Sequence, residues 1–295
     1  MENSNHYFSV ADHKLRISFA PSEYNSIKLL PSFPTFAIPE EEDDKLLFSL
    51  FVDDTTVPAP GRRKIRKFDT GNGDTIVYRL PDEGYQYIIK DLAGRDCCLL
   101  IADKDFHNCR CALNGDYGMR TFGLNNAVML SYAFASSRHQ TLMIHASAVK
   151  NAGLGFPFTA KSGTGKSTHT SLWMKHIEGT ELMNDDNPII RVIDGQPYIY
   201  GSPWSGKTPC YRQIRAKLGA VTRIDRAKEN SIEKLEPVEA FTSLLPSCSS
   251  MKWDEVIYHN TCDTITKLIE TTPIYTLHCR PDEEAARVCH KELVK

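Results

Sequence analysis

The sequence predicts an α/β protein in two parts, a β-rich N-terminal domain (residues 1–122) and a mixed α/β C-terminal domain (residues 123–295). Three observations lead to this prediction. Short alternating apolar runs separated by turn residues fill the first part. In the second part an apolar run, a glycine-rich loop and a helix-compatible run follow one another. A further apolar run just downstream ends in two adjacent carboxylates.

The N-terminal domain shows six runs with the length and residue types of strands. They are residues 7–10, 15–19, 46–52, 75–80, 85–89 and 97–101. Turn signals at 71–74 and 82–84 lie between neighbouring runs, which indicates antiparallel hairpins. A basic run at 62–67 is typical of a solvated loop or a guarded edge strand. No motif of catalytic or ligand-binding residues lies in this domain, so we expect it to serve as a scaffold or to recognise a substrate.

The remaining elements of the C-terminal domain follow from local patterns. We predict a helix over 123–138, a hairpin over 189–200 with an Asp-Gly turn, and a mainly helical region from 210 to 295. Within that last region a strand is predicted over 274–279. A final helix opens with proline and acidic residues after 281.

The glycine loop, residues 160–168, is the centre of the C-terminal domain. Its expected phosphate-contacting residues are Ser162, Gly163, Thr164, Gly165, Lys166, Ser167 and Thr168. Two glycines let backbone N–H groups turn toward phosphate oxygens, and the following helix adds its positive N-terminal end. We therefore expect Lys166 to reach the β- and γ-phosphates of a nucleotide and the Ser167 hydroxyl to ligate Mg²⁺.

A second stretch, residues 201–208, matches the pattern G-x-x-x-x-G-K-[ST] letter for letter, whereas the glycine loop has Ala160 in place of the first glycine. Physical arguments still favour the glycine loop. Pro203 has no N–H to offer a phosphate, Trp204 crowds the backbone, and Pro209 blocks an immediate helix.

The stretch 201–208 instead suits the acceptor side of a transfer site. Lys207 is the predicted cation there, with Arg212 and Arg215 nearby, although an ordinary solvated surface lysine is the alternative.

Asp185 and Asp186, called the acid pair below, end the apolar run 181–186. In an open α/β sheet, ligands bind at the C-terminal edge of the strands, so the acid pair and the glycine loop are expected to meet there. Adjacent strand residues point opposite ways, so one Asp can face Mg²⁺ while the other faces a different partner. A simple turn after the strand is the alternative.

His145 lies inside the apolar run 141–149, which we predict to be one strand. A lone histidine in a strand is usually a satisfied core residue, and the residues alone leave that interpretation open.

Four features, taken together in order and spacing, resemble the catalytic domain of the HPr kinase/phosphorylase family and, more distantly, the ATP-dependent phosphoenolpyruvate carboxykinases. They are His145-Ala146-Ser147 on a strand, a hairpin at 150–155, the glycine loop, and Asn184-Asp185-Asp186. The resemblance covers about residues 125–210. It implies a P-loop domain in which the loop binds ATP, Ser167 and Asp186 hold Mg²⁺, and His145 and Asp185 form a polar pair near the acceptor.

The resemblance implies ATP- and Mg²⁺-dependent phosphorylation of a hydroxyl, a Ser or Thr of a protein or peptide, with Asp185 taking the proton. Ala160, a threonine at 168 where phosphorylase-type enzymes carry Glu, and the missing arginine-glycine signature argue against efficient phosphorylase activity. A small-molecule acceptor and a nucleotide-binding scaffold with little turnover remain alternatives. The family also favours an assembly of identical chains.

Composition also limits the kinds of partner that we expect the protein to bind. The net charge is −2 and the pI is about 6.6, so nucleic acid is not expected as the main partner. The first residues are polar and no apolar run has membrane-spanning length, so we expect no membrane segment and a cytoplasmic location. The nine cysteines contain no C-x-x-C pair, which predicts free thiols packed in cores.

Residues 222–225 weakly resemble the guanine-reading motif of GTPases, but Arg stands in place of its Lys.

Overall fold

The computed structural model describes residues 3–69, 73–206 and 208–295. The chain divides into two compact units, Met1–Ser136 and Ser137–Lys295, and its described part holds two large mixed sheets with α-helices. The fold is therefore mixed α/β. The boundary between the units follows helix α1 (Tyr117–Ala135), whereas the sequence placed it after residue 122, which lies inside that helix.

The first unit is a nine-stranded sheet with helix α1 packed on it. Its strands are β1 (Ser4–Val10), β2 (His13–Phe19), β3 (Ala37–Ile38), β4 (Leu46–Val52), β5 (Arg63–Asp69), β6 (Asp74–Arg79), β7 (Tyr85–Lys90), β8 (Asp96–Ala102) and β9 (Asn108–Leu113). Their order is β3-β1-β2-β4-β9-β8-β7-β6-β5. All six predicted strands are present, and the basic run lies mainly in the edge strand β5.

The expectation of antiparallel hairpins is only partly right. Strand β4 pairs in parallel with both β2 and β9. Neither connection is a hairpin, because β3 lies between β2 and β4 in sequence and β5 to β8 lie between β4 and β9. The predicted turn at 82–84 is confirmed, with Glu83 at a φ of 66°. In the predicted turn at 71–74, residues 71 and 72 lie outside the described residues.

Helix α1 belongs to the first unit for a packing reason. A Cβ on Gly123 would come within 2.7 Å of the carbonyl oxygen of Cys97 on β8, so the glycine permits a close approach of helix and sheet. The helix begins at a capping aspartate, since Asp116 accepts a hydrogen bond from the backbone N–H of Met119.

The second unit is a ten-stranded sheet with helices. Its strands are β10 (Thr141–Met143), β11 (Ala146–Asn151), β12 (Leu154–Thr159), β13 (Glu181–Asp186), β14 (Ile189–Ile193), β15 (Gln196–Tyr200), β16 (Arg215–Leu218), β17 (Val221–Arg226), β18 (Ser231–Lys234) and β19 (Ile274–Cys279). Its α-helices are α2 (Lys166–His176), α3 (Pro237–Leu244), α4 (Glu255–Thr271) and α5 (Glu283–Leu293).

Strand β11 lies between β12 and β13 and is antiparallel to both. Strands β12 and β13 therefore run in the same direction. Their C-terminal ends and the start of β11 meet at one edge of the sheet, which is where the glycine loop and the acid pair were expected to meet. On its other side, β12 pairs in parallel first with β16 and then with β17.

Helices cover both faces of this sheet, and each face has its own apolar core. Phe156, Phe158 and Trp173 belong to the core that includes residues of α2 and α5. Met183 and Ile199 belong to the core that includes residues of α3 and α4. Aromatic residues of β12 thus fix helix α2, which begins at the glycine loop, against the sheet.

Several local predictions for this unit are confirmed and two are wrong. The hairpin β14–β15 has its Asp194-Gly195 turn, with positive φ at both residues. The prediction of a mainly helical region after residue 210 is wrong, because this region also contains strands β16, β17 and β18. Strand β17 lacks the alternation of apolar and polar residues that marks a strand, since its apolar residues Val221 and Ile224 are three positions apart. Only its pairing with β12 and β19 identifies it as a strand. The predicted single strand over 141–149 is interrupted between Met143 and Ala146.

No helix in the described part of the chain is long and apolar enough to cross a membrane. All nine cysteines are free thiols and all but Cys262 are buried, as the spacing predicted. Burial raises the pKa of Cys109 and of Cys248 to about 12.

Candidate active site

The glycine loop connects strand β12 to helix α2, so the predicted order of strand, loop and helix is confirmed. Gly163 has a φ of 75° and Gly165 a φ of 130°. Residues with a side chain rarely adopt such backbone conformations. A Cβ on Gly163 would meet no atom within 4 Å, so this glycine is needed for its backbone conformation. Ala160 is not among the residues with positive φ, so the missing first glycine imposes no backbone strain.

Arg226, at the end of β17, holds the glycine loop. Its Nε donates to the carbonyl oxygen of Thr164 at 3.0 Å and its Nη2 to that of Gly163 at 2.6 Å. The first N–H groups of α2, beginning with Lys166, have no acceptor within the helix and are free to face an anion. The sequence did not point to Arg226, because its place beside the loop depends on the pairing of β12 with β17.

Lys166, His145 and Asp186 form a continuous polar contact. Lys166 Nζ lies 2.8 Å from His145 Nε2, and His145 Nδ1 lies 3.1 Å from Asp186 Oδ1. The His145 and Asp186 side chains are 45% and 33% exposed, so a substrate can reach them. Burial lowers the pKa of Lys166, although Asp186 and Asp185 act in the opposite direction.

The hydrogen-bond roles in this contact follow from the lysine. An ammonium group can only donate, so His145 Nε2 accepts from Lys166 and carries a lone pair. The ring hydrogen then lies on Nδ1 and donates to Asp186. This is the arrangement in which a carboxylate fixes the tautomer of an imidazole.

Asp185 lies in a different environment from Asp186. It is 4% exposed, and its Oδ1 accepts a hydrogen bond of 2.7 Å from the Ser147 hydroxyl. Its Oδ2 accepts from the backbone N–H of Thr208 at 3.3 Å. Ser147 stands opposite Asp185 in the β11–β13 pairing, which places both side chains on the same face of the sheet.

The predicted pairing of His145 with Asp185 is wrong in this structure, since His145 contacts Asp186. The reason is strand geometry, because adjacent residues of β13 point to opposite faces. The two carboxylates do have different partners, and the expectation that one of them faces Mg²⁺ stays a prediction. His145 itself lies in the break between β10 and β11, where Ile144 bridges to Cys248, and it is not a core residue.

The stretch 201–206 packs against the acid pair. Asn184 donates from Nδ2 to the carbonyl oxygens of Ser202 and Trp204. The backbone N–H of Gly206 donates to the carbonyl oxygen of Asp185. A Cβ on Gly206 would lie 2.7 Å from the Asp185 carbonyl oxygen. Gly206 therefore allows its backbone to pack closely against that of Asp185. The sequence had given Asn184 no role of its own.

The cations predicted around this stretch have other partners or lie outside the described part. Arg212 pairs with Glu181 at 2.6 Å, and the Arg215 guanidinium lies 4.0 Å from the ring centre of Tyr198. Lys207 is outside the described residues, so its predicted catalytic role stays a prediction.

The oxygen donors at this site suit magnesium. The Ser167 hydroxyl lies in the first turn of α2, and the Asp186 carboxylate is partly exposed. Within the residues described, no three His, Cys, Asp or Glu side chains come together as a metal-binding group. Magnesium is commonly held by one or two protein oxygens together with phosphates and water, so a complete protein cage is not required.

Comparisons with known proteins add little information on function to the geometry of the site. No protein-family model matches the chain, and no curated protein matches it. The chain is similar to a solved structure described as the Hpr(Ser) kinase/phosphatase from Coxiella burnetii, with a TM-score of 0.32 and 8% sequence identity. That match covers 52% of this chain and 96% of the other. A likeness at this TM-score carries no argument, so function must be argued from the site residues.

Proposed function

We propose that the chain is an ATP- and Mg²⁺-dependent kinase with a P-loop catalytic domain, which phosphorylates a serine or threonine hydroxyl of a protein or peptide. The observation that supports this best is the polar contact of Lys166, His145 and Asp186 beside the glycine loop. Phosphoryl transfer needs a cation for the moving phosphate, oxygen ligands for Mg²⁺ and a group that takes the hydroxyl proton. The contact brings these three chemical types together.

The nucleotide phosphates would lie on the N–H groups of the glycine loop and the first turn of α2. Lys166 would turn from His145 to the β- and γ-phosphates, because a phosphate is a stronger partner for an ammonium than a neutral imidazole. Ser167 and Asp186 would hold Mg²⁺, which, when bound, neutralises charge on the transferring phosphoryl group.

His145 would take the proton in this proposal. Once Lys166 has moved, Nε2 presents a free lone pair, and Asp186 keeps the ring oriented through Nδ1–H. The acceptor oxygen bonds to the γ-phosphorus as the bond to the bridging oxygen breaks, ADP leaves, and the hydroxyl proton passes to Nε2. The sequence-based alternative, Asp185 as base, requires the acceptor hydroxyl to reach a carboxylate that is 4% exposed and already accepts hydrogen bonds from Ser147 and Thr208.

The test is to incubate the purified protein with γ-labelled ATP and native lysate, and to follow the label. Lys166→Ala serves as the inactive control. Label on serine or threonine of a protein supports the proposal, whereas label in a small metabolite supports the alternative acceptor. ATP binding without any transfer would favour the nucleotide-binding scaffold.

A further inference from the structure

Strand β5 (Arg63–Asp69) is the last strand of the nine-stranded sheet and carries most of the basic run, residues 62–67. Among the described residues, β6 is the one strand that pairs with it. In an antiparallel pair, alternate N–H and C=O groups of an edge strand point away from its partner. The 7 residues of β5 therefore present a backbone edge on which another extended chain can pair.

On the basis of the proposed kinase function, we infer that β5 binds an extended acidic segment of the protein substrate as an additional strand of the sheet. The backbone edge would supply the hydrogen bonds, and the basic run would select Asp and Glu side chains. Docking and phosphoryl transfer would then belong to different units of the chain.

Three cations of the basic run form no ion pair within the described part of the chain. They are Arg63, Lys64 and Arg66, and all three are exposed. The cations on either side of them are engaged, since Lys67 pairs with Asp74 at 2.7 Å and the Arg62 guanidinium lies 5.7 Å from the ring centre of Tyr78. The unpaired positive charge is thus concentrated in residues 63–66.

The register of β5 places like charges opposite each other. Arg63 stands directly opposite Arg79 of β6, and like charges in opposite positions destabilise a strand pair. Arg79 is held in place, because its guanidinium lies 4.5 Å from the ring centre of Tyr85. Charges on an edge strand discourage pairing with apolar edges, but that protection does not require one arginine opposite another. An acidic partner would relieve the repulsion, which distinguishes a docking edge from one that is only protected.

The cations of β5 lie on both faces of the sheet edge, because the register shifts at Ile65. The two lysines of β5 stand opposite Tyr78 and Ile76, which are two positions apart on β6 and share a face. The two arginines of β5 stand opposite Arg79 and Val77 and therefore lie on the other face. A docked strand turns alternate side chains to the two faces, so consecutive Asp or Glu residues would meet cations on both.

Other occupants fit this edge less well. The net charge of −2 gives the chain no general attraction for nucleic acid, and a phosphate backbone has no N–H groups for the carbonyls of a strand. A second copy of this chain would offer its acidic run at 40–44, but three of those acids already form ion pairs within their own chain. These ion pairs are Glu41 with Lys14, Glu42 with Lys45 and Asp43 with Arg16.

Fluorescence anisotropy with short labelled peptides tests the inference in the absence of ATP. The first peptide alternates Asp and Glu, the second carries Asn and Gln in their place, and the third keeps the acids on an N-methylated backbone. We expect the wild type to bind the first peptide at least about tenfold more tightly than either other peptide. The third peptide keeps the charge and loses the backbone donors, so it separates strand pairing from charge attraction alone.

Two triple variants remove the same charge from different places. The first, Arg63→Gln with Lys64→Gln and Arg66→Gln, should weaken the acidic peptide about tenfold or more. Its free energy of unfolding should stay equal or rise, because like charges are removed. The control, Lys228→Gln with Lys267→Gln and Lys291→Gln, alters exposed lysines of the second unit and should change peptide affinity less than about twofold. A loss of stability in the first variant would instead assign its cations a structural role.

The assay with γ-labelled ATP and lysate tests whether the docked segment belongs to the substrate. Excess acidic peptide should lower labelling of the protein about tenfold, and excess neutral peptide should not. Peptide binding without any effect on labelling would overturn the assignment to the substrate. No labelling in any sample, with the peptide bound as expected, would overturn the proposed kinase while the acidic docking edge stands.

Three further outcomes would overturn the docking edge and leave the proposed kinase intact. The first is equal binding of the acidic peptide and either of the other two, which the wild type decides even if the first triple variant does not fold. The second is tighter binding of an oligothymidylate of equal charge, which would assign β5 to nucleic acid. The third is self-association of the wild type that the first triple variant abolishes, which would assign β5 to a second copy of the chain.

Discussion

The buried hydroxyl of Ser147 on β11 donates a hydrogen bond of 2.7 Å to Asp185 on β13. The same hydroxyl oxygen accepts a hydrogen bond of 2.9 Å from Thr170 Oγ1 on helix α2. Strand β11, Asp185 and helix α2 are thus joined through two hydroxyl groups. Ser147 belongs to the run that resembles the kinase family, and the structure gives it a positioning role.

We expect Ser147→Ala to destabilise the protein by about 2 kcal/mol, because it removes a hydrogen bond to a buried carboxylate. The value of kcat should fall more than nucleotide affinity, since Asp185 loses a positioning contact. Chemical denaturation and steady-state kinetics measure the two effects. Ser171→Ala removes an exposed hydroxyl from the same helix and is the matched control. Equal stability of the two variants would contradict this prediction.

Lys166→Ala should abolish most ATP binding, whereas Lys207→Ala should leave binding within a few-fold and lower kcat. The reason is that Lys166 begins the helix after the glycine loop and belongs to the polar contact. Calorimetric titration with Mg·ATP distinguishes the variants. The reverse result would place the nucleotide on the stretch 201–208.

Substitutions of Asp185, Asp186 and His145 should distinguish the roles of these three residues. Asp186→Asn should raise the Mg²⁺ concentration needed for activity. His145→Gln should lower kcat by about 100-fold or more, the usual range for a general base, with nucleotide affinity nearly intact. Asp185→Asn should have the smaller effect on kcat. A larger loss in Asp185→Asn than in His145→Gln would restore Asp185 as the base, and equal metal dependence of both Asp variants would contradict the split.

The reverse reaction should be inefficient. Pro203 and the buried Trp204 stiffen the stretch beside the acid pair, and Asn184 holds it in place. We expect the site to receive a hydroxyl and not to activate free phosphate as a nucleophile. Millimolar phosphate is added to a phosphorylated substrate without ATP, and pyrophosphate is measured. Release at a rate similar to the forward reaction would establish phosphorylase activity.

Stability should fall on acidification because of His169. Its pKa is about 4 in the folded protein and 6.5 as the ordinary value, so the unfolded chain binds more protons between these limits. The stabilisation is therefore present above the ordinary pKa and is lost as the pH falls toward 4. From about pH 7 to about pH 4.5 we expect the wild type to lose about 2 kcal/mol more than His169→Gln. Parallel curves for the two proteins would refute this.

Much of the second unit could be predicted because its signals are local. Glycines with positive φ, an uninterrupted helix-compatible run and a strand ending in carboxylates lie next to one another in sequence. The contact of His145 with Asp186 could not be predicted, because it requires the strand break that Cys248 helps to form by bridging to Ile144. Arg226 was missed for the same reason, since only sheet pairing brings β17 to the loop.

The placement of β11 between β12 and β13 also bears on the order in which the chain folds. Residues 145–186 supply His145, the glycine loop and the acid pair, and their three strands pair with one another. The β11–β12 hairpin closes a short loop and can form early, whereas β12 can pair with β17 only when residues up to 222 and 223 are present. A chain emerging from the ribosome can therefore assemble the reactive cluster first. The hydrogen bonds of Arg226 to the glycine loop, which fix its backbone, form only after β17 has been synthesised and has joined the sheet.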